Sequence, residues 1–469
     1  MMRGLFSKSG VDAAVAAALL SGIALAGCRS SYKEALAARQ DIRGGTGDYA
    51  FQRASAMARD SSDSALGKLE LARIDMLRGD FAASSAVLGP HLEEYFVEST
   101  EGPILKTGKI AGNIMASTIR DDRAIPYETP GFEMLFALCY QAFNLYQTGD
   151  SGNAGVYLRR ATTAQEQMKE KYESEHPEKA EKSENAANAA KASSQIEARL
   201  ASVASGARAS YENALAWYLA GLVFSIDADD GNAELAFGQA AAICPALAGF
   251  AAAPPGEGVD VTVVYEESLV DLQEPMKIPL PFGGTLWSVD FPVYGAPARP
   301  PSRIAVEAGG GLAAECVPAV NVQALAYRTL RDRIPAIAAR NVARAAVKIA
   351  AQQVANHINT GNTYTDLALQ LGVLAFNVFG TATDEADTRC WQTLPEHVHI
   401  ARVRCPPGAA SLTVRNAGTG KSCTVEIPSG APGPVLAWIS DIHAYATVGV
   451  APLARGKATW KKTASLLNP

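Results

Sequence analysis

His397 and His399 stand one residue apart, next to Glu396 and upstream of Cys405. On a strand that spacing puts both imidazoles on one face. Imidazole, thiolate and carboxylate all ligate zinc, but a structural zinc site takes four ligands at regular spacing. No such set is present, so neither metal nor cofactor is expected and the two histidines read as part of a β-surface. Gly418-Thr419-Gly420-Lys421-Ser422 matches the end of a phosphate-binding loop. Arg415 occupies the place of that loop's first glycine, and the segment joins two predicted strands, not a strand and a helix. A Gly-x-Ser-x-Gly nucleophile elbow and a His-Glu-x-x-His helix are both missing. Glu266 and Glu267 are neighbours on a predicted strand, so they point to opposite faces and cannot flank one bond. Asp387, Arg389 and Trp391 admit two readings: caps and core contacts before Pro395, or a ligand pocket of acid, guanidinium and indole. Cys139 falls on an apolar stripe and reads as a buried thiol. Cys405 and Cys423 flank a predicted hairpin and are candidates for a disulfide, which geometry must decide. No catalytic constellation emerges, so the expectation is a protein that binds and does not catalyse.

Composition narrows the partners. The chain has 469 residues, is 48% hydrophobic and carries a net charge of −6. Its pI near 5.7 argues against nucleic acid, which usually meets a basic surface. Residues 1–27 read as a targeting segment: Arg3 and Lys8 precede an apolar run over 11–26, too short for a comfortable membrane span. The run ends in Leu25-Ala26-Gly27-Cys28, which resembles the lipobox of bacterial lipoproteins. The resemblance implies a diacylglyceryl group on Cys28, cleavage before it and acylation of the new amino group. A plain secretory signal with an incidental cysteine is the alternative. Arg29, where an aspartate usually retains a lipoprotein at the inner membrane, implies outer-membrane anchoring and a periplasm-facing protein.

The elements that must position these groups fall into two textures. Residues 28–60 read as lipidated cysteine and tether, with 30–49 either a polar tether or a short helix. Residues 61–250 read as helix pairs. Leu66, Leu69, Ala72, Arg73 and Met76 form one stripe before Arg78-Gly79-Asp80, and Phe81, Leu88 and Leu92 return. Phe132, Leu135, Phe136, Cys139, Phe143 and Tyr146 form another before Gly149-Asp150, answered by Ala154, Tyr157, Leu158 and Ala161. A third pair is predicted from Tyr211 to Ala240, with its turn at Asp229-Asp230-Gly231. Such pairs are of tetratricopeptide type, although their spacing departs from a regular repeat. Tyr140, Asn144, Tyr157 and Arg160 are the expected lining of a concave, partner-binding face. Residues 165–199 are charged and alanine-rich and read as an exposed helical extension or a partly disordered insert, either a solvated face or a docking arm for a partner.

From residue 251 the texture changes. Strands are expected over 259–265, 276–280, 286–291, 302–306 and 312–317, then helices over 322–334, 335–357 and 364–379. Strands follow again over 398–404, 412–414, 423–427 and 435–446. This order predicts an α+β domain, residues 251–469, whose sheet is completed by its last strands. Arg333, Arg340, Arg344 and Lys348 share about one helix face, either solvated or facing anionic headgroups or a carboxylate-rich partner.

Two stretches carry a wider resemblance: Tyr127 to Arg160, and Asp387-Thr388-Arg389-Cys390-Trp391-Gln392-Thr393-Leu394-Pro395 with Ile400 to Val403 and Pro406-Pro407-Gly408. With Val263 to Glu266 and Ile278 to Pro281 they resemble an uncharacterised family of bacterial lipoproteins with a tetratricopeptide-like N-terminal half. The resemblance implies an exported, lipid-anchored protein with no assigned activity. The expectation is therefore a helical-repeat half followed by an α+β half, docking a protein partner through the repeats and a membrane through its lipid. Peptidoglycan, or an enzyme that builds it, is the alternative partner.

Overall fold

The computed structural model describes residues 31–99, 102–105, 125–174, 183–297, 299–357, 386–428, 433–443, 445–454 and 458–462. Cys28 and the expected helix over 364–379 lie outside them.

Short breaks in apolar stripes set the helical part. Helices α1 (Ser31–Gly44) and α2 (Asp48–Met57) are followed by the pair α3 (Ser64–Arg78) and α4 (Phe81–Glu93). A two-stranded ribbon, β1 (Phe96–Ser99) and β2 (Gly102–Leu105), precedes the pair α5 (Gly131–Thr148) and α6 (Ser151–Ser174). Helix α7 (Glu184–Ala204) then leads to the pair α8 (Ala214–Ile226) and α9 (Asp230–Ile243). Each pair turns by one device. A left-handed residue closes the first helix, and the next aspartate caps the second by accepting from a free amide of its first turn. Gly79 has φ 81° and Asp80 accepts from the amide of Ala83. Gly149 has φ 87° and Asp150 accepts from the amide of Asn153. In the third pair the left-handed residue is Ala228, φ 56°, and Asp229 caps α9 through the amide of Asn232. The turn expected at 229–231 therefore lies one step earlier, and Gly231 sits inside the helix.

The strands are β3 (Val259–Glu267), β4 (Gln273–Phe282), β5 (Thr285–Tyr294), β6 (Ile304–Ala308), β7 (Gly311–Glu315) and β8 (Val317–Asn321). One long helix, α10 (Val322–His357), runs through Pro335, where two helices were expected. After it come β9 (His397–Cys405), β10 (Ser411–Asn416), β11 (Ser422–Glu426), β12 (Val435–Ile442), β13 (Tyr445–Pro452) and β14 (Thr459–Lys462). The single strand expected over 435–446 is a hairpin, folded back at His443, whose φ is 53°. The six-stranded sheet has the order β14-β13-β12-β3-β9-β8, with β12 parallel to β3 and the other pairs antiparallel. A four-stranded sheet, β11-β10-β6-β7, and the β4–β5 hairpin complete the β-structure. The architecture is thus mixed α and β, with the sheet completed by the C-terminal strands.

Alternation along the central strands decides what they join. On β3 and β12, Val264, Leu436 and Trp438 pack among the helices with Phe143 and Tyr140. Val261, Val263, Val435, Ala437 and Ile439 pack against the four-stranded sheet with Val414 and Val425. The texture changes near residue 251, but one apolar cluster runs from Met57 to Leu453.

Three expectations need correction. The tether expected over 28–60 does not extend through 31–57, where the short-helix reading holds: α1 and α2 bury Ala38, Ile42, Ala50 and Ala54 with Ile74, Leu269 and Ile442. Within the expected insert, residues 184–199 are not exposed throughout, because Ala192 and Ile196 are fully buried in the main cluster and Asn188 donates to the carbonyl of Pro281, whereas Glu166, Lys169, Glu170, Tyr172 and Glu173 are exposed. Tyr140, Asn144, Tyr157 and Arg160 do not line an open face: each is at most 8% exposed. The sheet occupies the space beside α5. A Cβ on Gly449 of β13 would lie 2.6 Å from the ring of Phe143.

Candidate functional site

The segment over residues 386–396 is threaded between the helices and the sheet, and its polar groups explain its path. Arg389 is held by Asp387 (Nε to Oδ1, 2.7 Å) and Asp63 (Nη1 to Oδ1, 2.8 Å), and it donates to the carbonyls of Ser62 and Ile125. The amide of Trp391 donates to Glu133 at 3.2 Å. The amide of Gln392 and the hydroxyl of Thr393 both donate to Glu70 at 2.7 Å. Arg39 donates to the carbonyls of Val270 and Gln392. The indole of Trp391 meets Tyr140 edge to face, with centroids 5.8 Å apart. Below it, Arg73 and Glu266 form an ion pair at 2.5 Å with neither side chain exposed. Tyr140 donates its hydroxyl to Glu266 at 2.7 Å and Ser440 donates at 2.5 Å.

Such burial moves proton affinities, because a low-dielectric surround disfavours the charged form. Burial pushes Glu70 up to about 7 and Glu133 up to about 8, against the hydrogen bonds each accepts. Burial pushes the thiol of Cys390 up to about 12 and holds the guanidinium of Arg39 down to about 10.

Above this segment opens a cleft of about 680 Å³, a size typical of ligand sites. Its floor includes Glu133, Cys390, Asp387 and Arg389. The first turn of α5 and the end of α6 form one wall, and α10, with Arg333 and Arg340, forms the other. Tyr127 donates to Glu133 at 2.7 Å. Tyr172 and Tyr211 also line the cleft, meeting edge to face with centroids 5.6 Å apart. Tyr294, stacked on Tyr327 at 4.5 Å, closes the inner end.

Of the groups singled out in the sequence, Asp387 and Arg389 reach the cleft, while Trp391 packs behind it at 1% exposure. Arg333 and Arg340 reach it too, but Arg344 is buried. Cys405 and Cys423 are free thiols and do not form the disulfide. Cys405 lies opposite Val259 on β3 and Cys423 opposite Val414 on β10, so the hairpin does not set them face to face. His397 and His399 are buried beneath the sheet surface, not on it. His399 Nε2 lies 2.9 Å from Glu267, and burial holds His397 down to about 4. Glu266 and Glu267 do face opposite ways, one to Arg73 and the other to His399 and Ser302.

No family model, curated protein or solved structure matches the chain. The site therefore has to be read from its own chemistry. A thiol with so high a proton affinity is a poor nucleophile at neutral pH. Glu133 is neutral there and donor-saturated by Tyr127 and Trp391. The cleft presents phenols, apolar side chains and guanidinium, together with the ammonium of Lys171 and the carboxylates of Glu128 and Asp332, groups of the kind used in binding. Of the buried charged groups, only Arg73 is placed in an apolar stripe by the sequence reading; Glu70 and Glu133 are missed, although Glu70 follows Leu66 by four residues and Glu133 precedes Phe136 by three.

Proposed function

We propose that this protein is an outer-membrane-anchored, periplasm-facing lipoprotein that serves envelope assembly as an interaction scaffold, and that it docks its partner in the cleft between α5, α6 and α10. The helical part is read as a short tetratricopeptide-like solenoid, supported by three pairs that share a left-handed residue followed by a capping aspartate. The observation that carries the docking reading is the cleft itself. It gathers exposed Arg333 and Ala336 from α10 and Tyr172 from α6, whereas the residues of the hairpin interior are sealed. Peptidoglycan is the second reading, favoured by the Tyr172–Tyr211 pair, since aromatic edges and faces suit a sugar ring.

A photo-crosslinking residue at Ala336, in the tagged full chain in cells, tests the site. A specific adduct from position 336, with none from the remote exposed position Leu235, is expected. Equal capture from both positions, or none from 336, defeats the reading. An adduct whose size collapses on digestion of the cell wall moves the partner from protein to peptidoglycan. Anchoring has its own test. Cys28→Ala should release the protein into the soluble periplasmic fraction, and continued fractionation with membranes would exclude the lipid.

A further inference from the structure

Most charges of the cleft are already engaged. Asp387 is paired with Arg389, Asp332 with Arg328, and Glu133 takes the hydroxyl of Tyr127 and the amide of Trp391. Arg333 makes neither a hydrogen bond nor an ion pair among the described residues, and it is exposed on the α10 wall. Its charge nevertheless reaches across the cleft. It acts on Tyr127, Glu133 and Asp387, favouring the ionised form of each against a larger effect of burial. Leu330 and Ile337 flank it on α10, and Phe132 and Met168 on the facing wall, with Pro292, complete an apolar lining.

From this juxtaposition we infer that Arg333 is the anchor for a carboxylate carried on an apolar body, namely an acidic residue next to an aromatic or aliphatic one in the docked segment of a partner protein. The inference rests on the docking reading above and names the chemistry of what docks. A planar guanidinium takes a carboxylate through two parallel hydrogen bonds, and the apolar wall takes the neighbouring side chain out of water. Glu133 sets the condition under which this works. Around it stand Tyr127 from the loop before α5, Glu70 from α3, Arg333 from α10 and Cys390 from the threaded segment. While Glu133 is neutral, Arg333 is left to the ligand. Once Glu133 ionises, a fixed carboxylate competes with the ligand for the same guanidinium.

The test uses the full chain and two probes that differ only in charge, N-acetyl-phenylalanyl-aspartyl amide and N-acetyl-phenylalanyl-asparaginyl amide, titrated by ligand-observed NMR. The aspartyl probe is expected to bind about fivefold more tightly at pH 6.5. Arg333→Gln should abolish that preference. Arg415→Gln, on the remote strand β10, should leave it intact. Raising the pH from 6.5 to 9 should erode the preference in the wild type but not in Glu133→Gln. Equal binding of the two probes, a preference that survives Arg333→Gln, or no saturable binding of either probe at 10 mM overturns the inference. A specific adduct from position 336 would still stand in each of those cases, so failure here is distinct from failure of the docking site. Because Arg333 is exposed and without partners among the described residues, its replacement leaves the fold intact, and an unchanged circular dichroism spectrum checks this.

Discussion

Arg73 and Glu266 share a fully buried ion pair, with Tyr140 and Ser440 filling the remaining acceptor positions of the carboxylate. A pair of this kind is weak evidence of net stability, but losing one member strands a charge in the interior. Arg73→Met should therefore cost about 3–5 kcal/mol in urea unfolding, and Arg73→Met with Glu266→Leu should recover much of it. A double variant no better than the single one would count against the pairing. Glu133 gives a second handle. Its folded proton affinity, about 8, lies above the ordinary carboxyl value of 4.5, so the folded state holds a proton that the unfolded state has lost between those pH values. The stability tied to that proton is complete below about pH 4.5 and declines as pH rises through 8, by at most about 1.4 kcal/mol per pH unit. Unfolding free energies of wild type and Glu133→Gln across pH 5 to 8 should diverge with that sign, and parallel curves would refute it. Periodicity places Arg73 on an inward face. It cannot say that Arg73 meets Glu266, 193 residues away, because nothing in the local pattern encodes the partner.

The repeated helix turn is the clearest signal at the scale of elements. Gly79-Asp80 and Gly149-Asp150 are legible because glycine tolerates a positive φ and aspartate caps the following helix. The third copy hides behind Ala228, which adopts the same left-handed backbone at 56° without that freedom. Gly231 drew the turn downstream although it lies within α9. Ala228 is exposed, so trimming its methyl group opens no cavity. Ala228→Gly should therefore stabilise the protein by about 1 kcal/mol, seen as a higher urea midpoint at unchanged slope. A lower midpoint would show that chain entropy outweighs backbone strain. The strand expectations hold best where alternation is strict, as in β3 and β9. They fail at the β12–β13 hairpin, where His443 turns the chain without a glycine, and at Pro335, where packing overrides the usual helix break.

For the whole molecule, the decisive fact is that the sheet fills the flank of the helices. Trp438 rests on Phe143 at 4.9 Å between centroids, and Tyr140 touches both Trp391 and Trp438. Sequence texture suggested two halves, since helical and strand periodicities separate cleanly near residue 251. Texture reports local backbone preference and carries no information on which apolar faces meet. Residues 31–250 expressed alone should lose near-UV circular dichroism and a cooperative melt, because Phe143, Tyr140 and Phe136 lose their cover. A fragment that melts cooperatively would restore the two-domain description. The docked helix α1 has a further consequence once Cys28 is taken as the acylated residue. Chain length from Cys28 to Ser31 allows a leash of roughly 10 Å. A lipid on Cys28 would hold the protein on so short a leash against the bilayer, and its cleft would then sample a thin layer next to the membrane and meet partners that come to that layer.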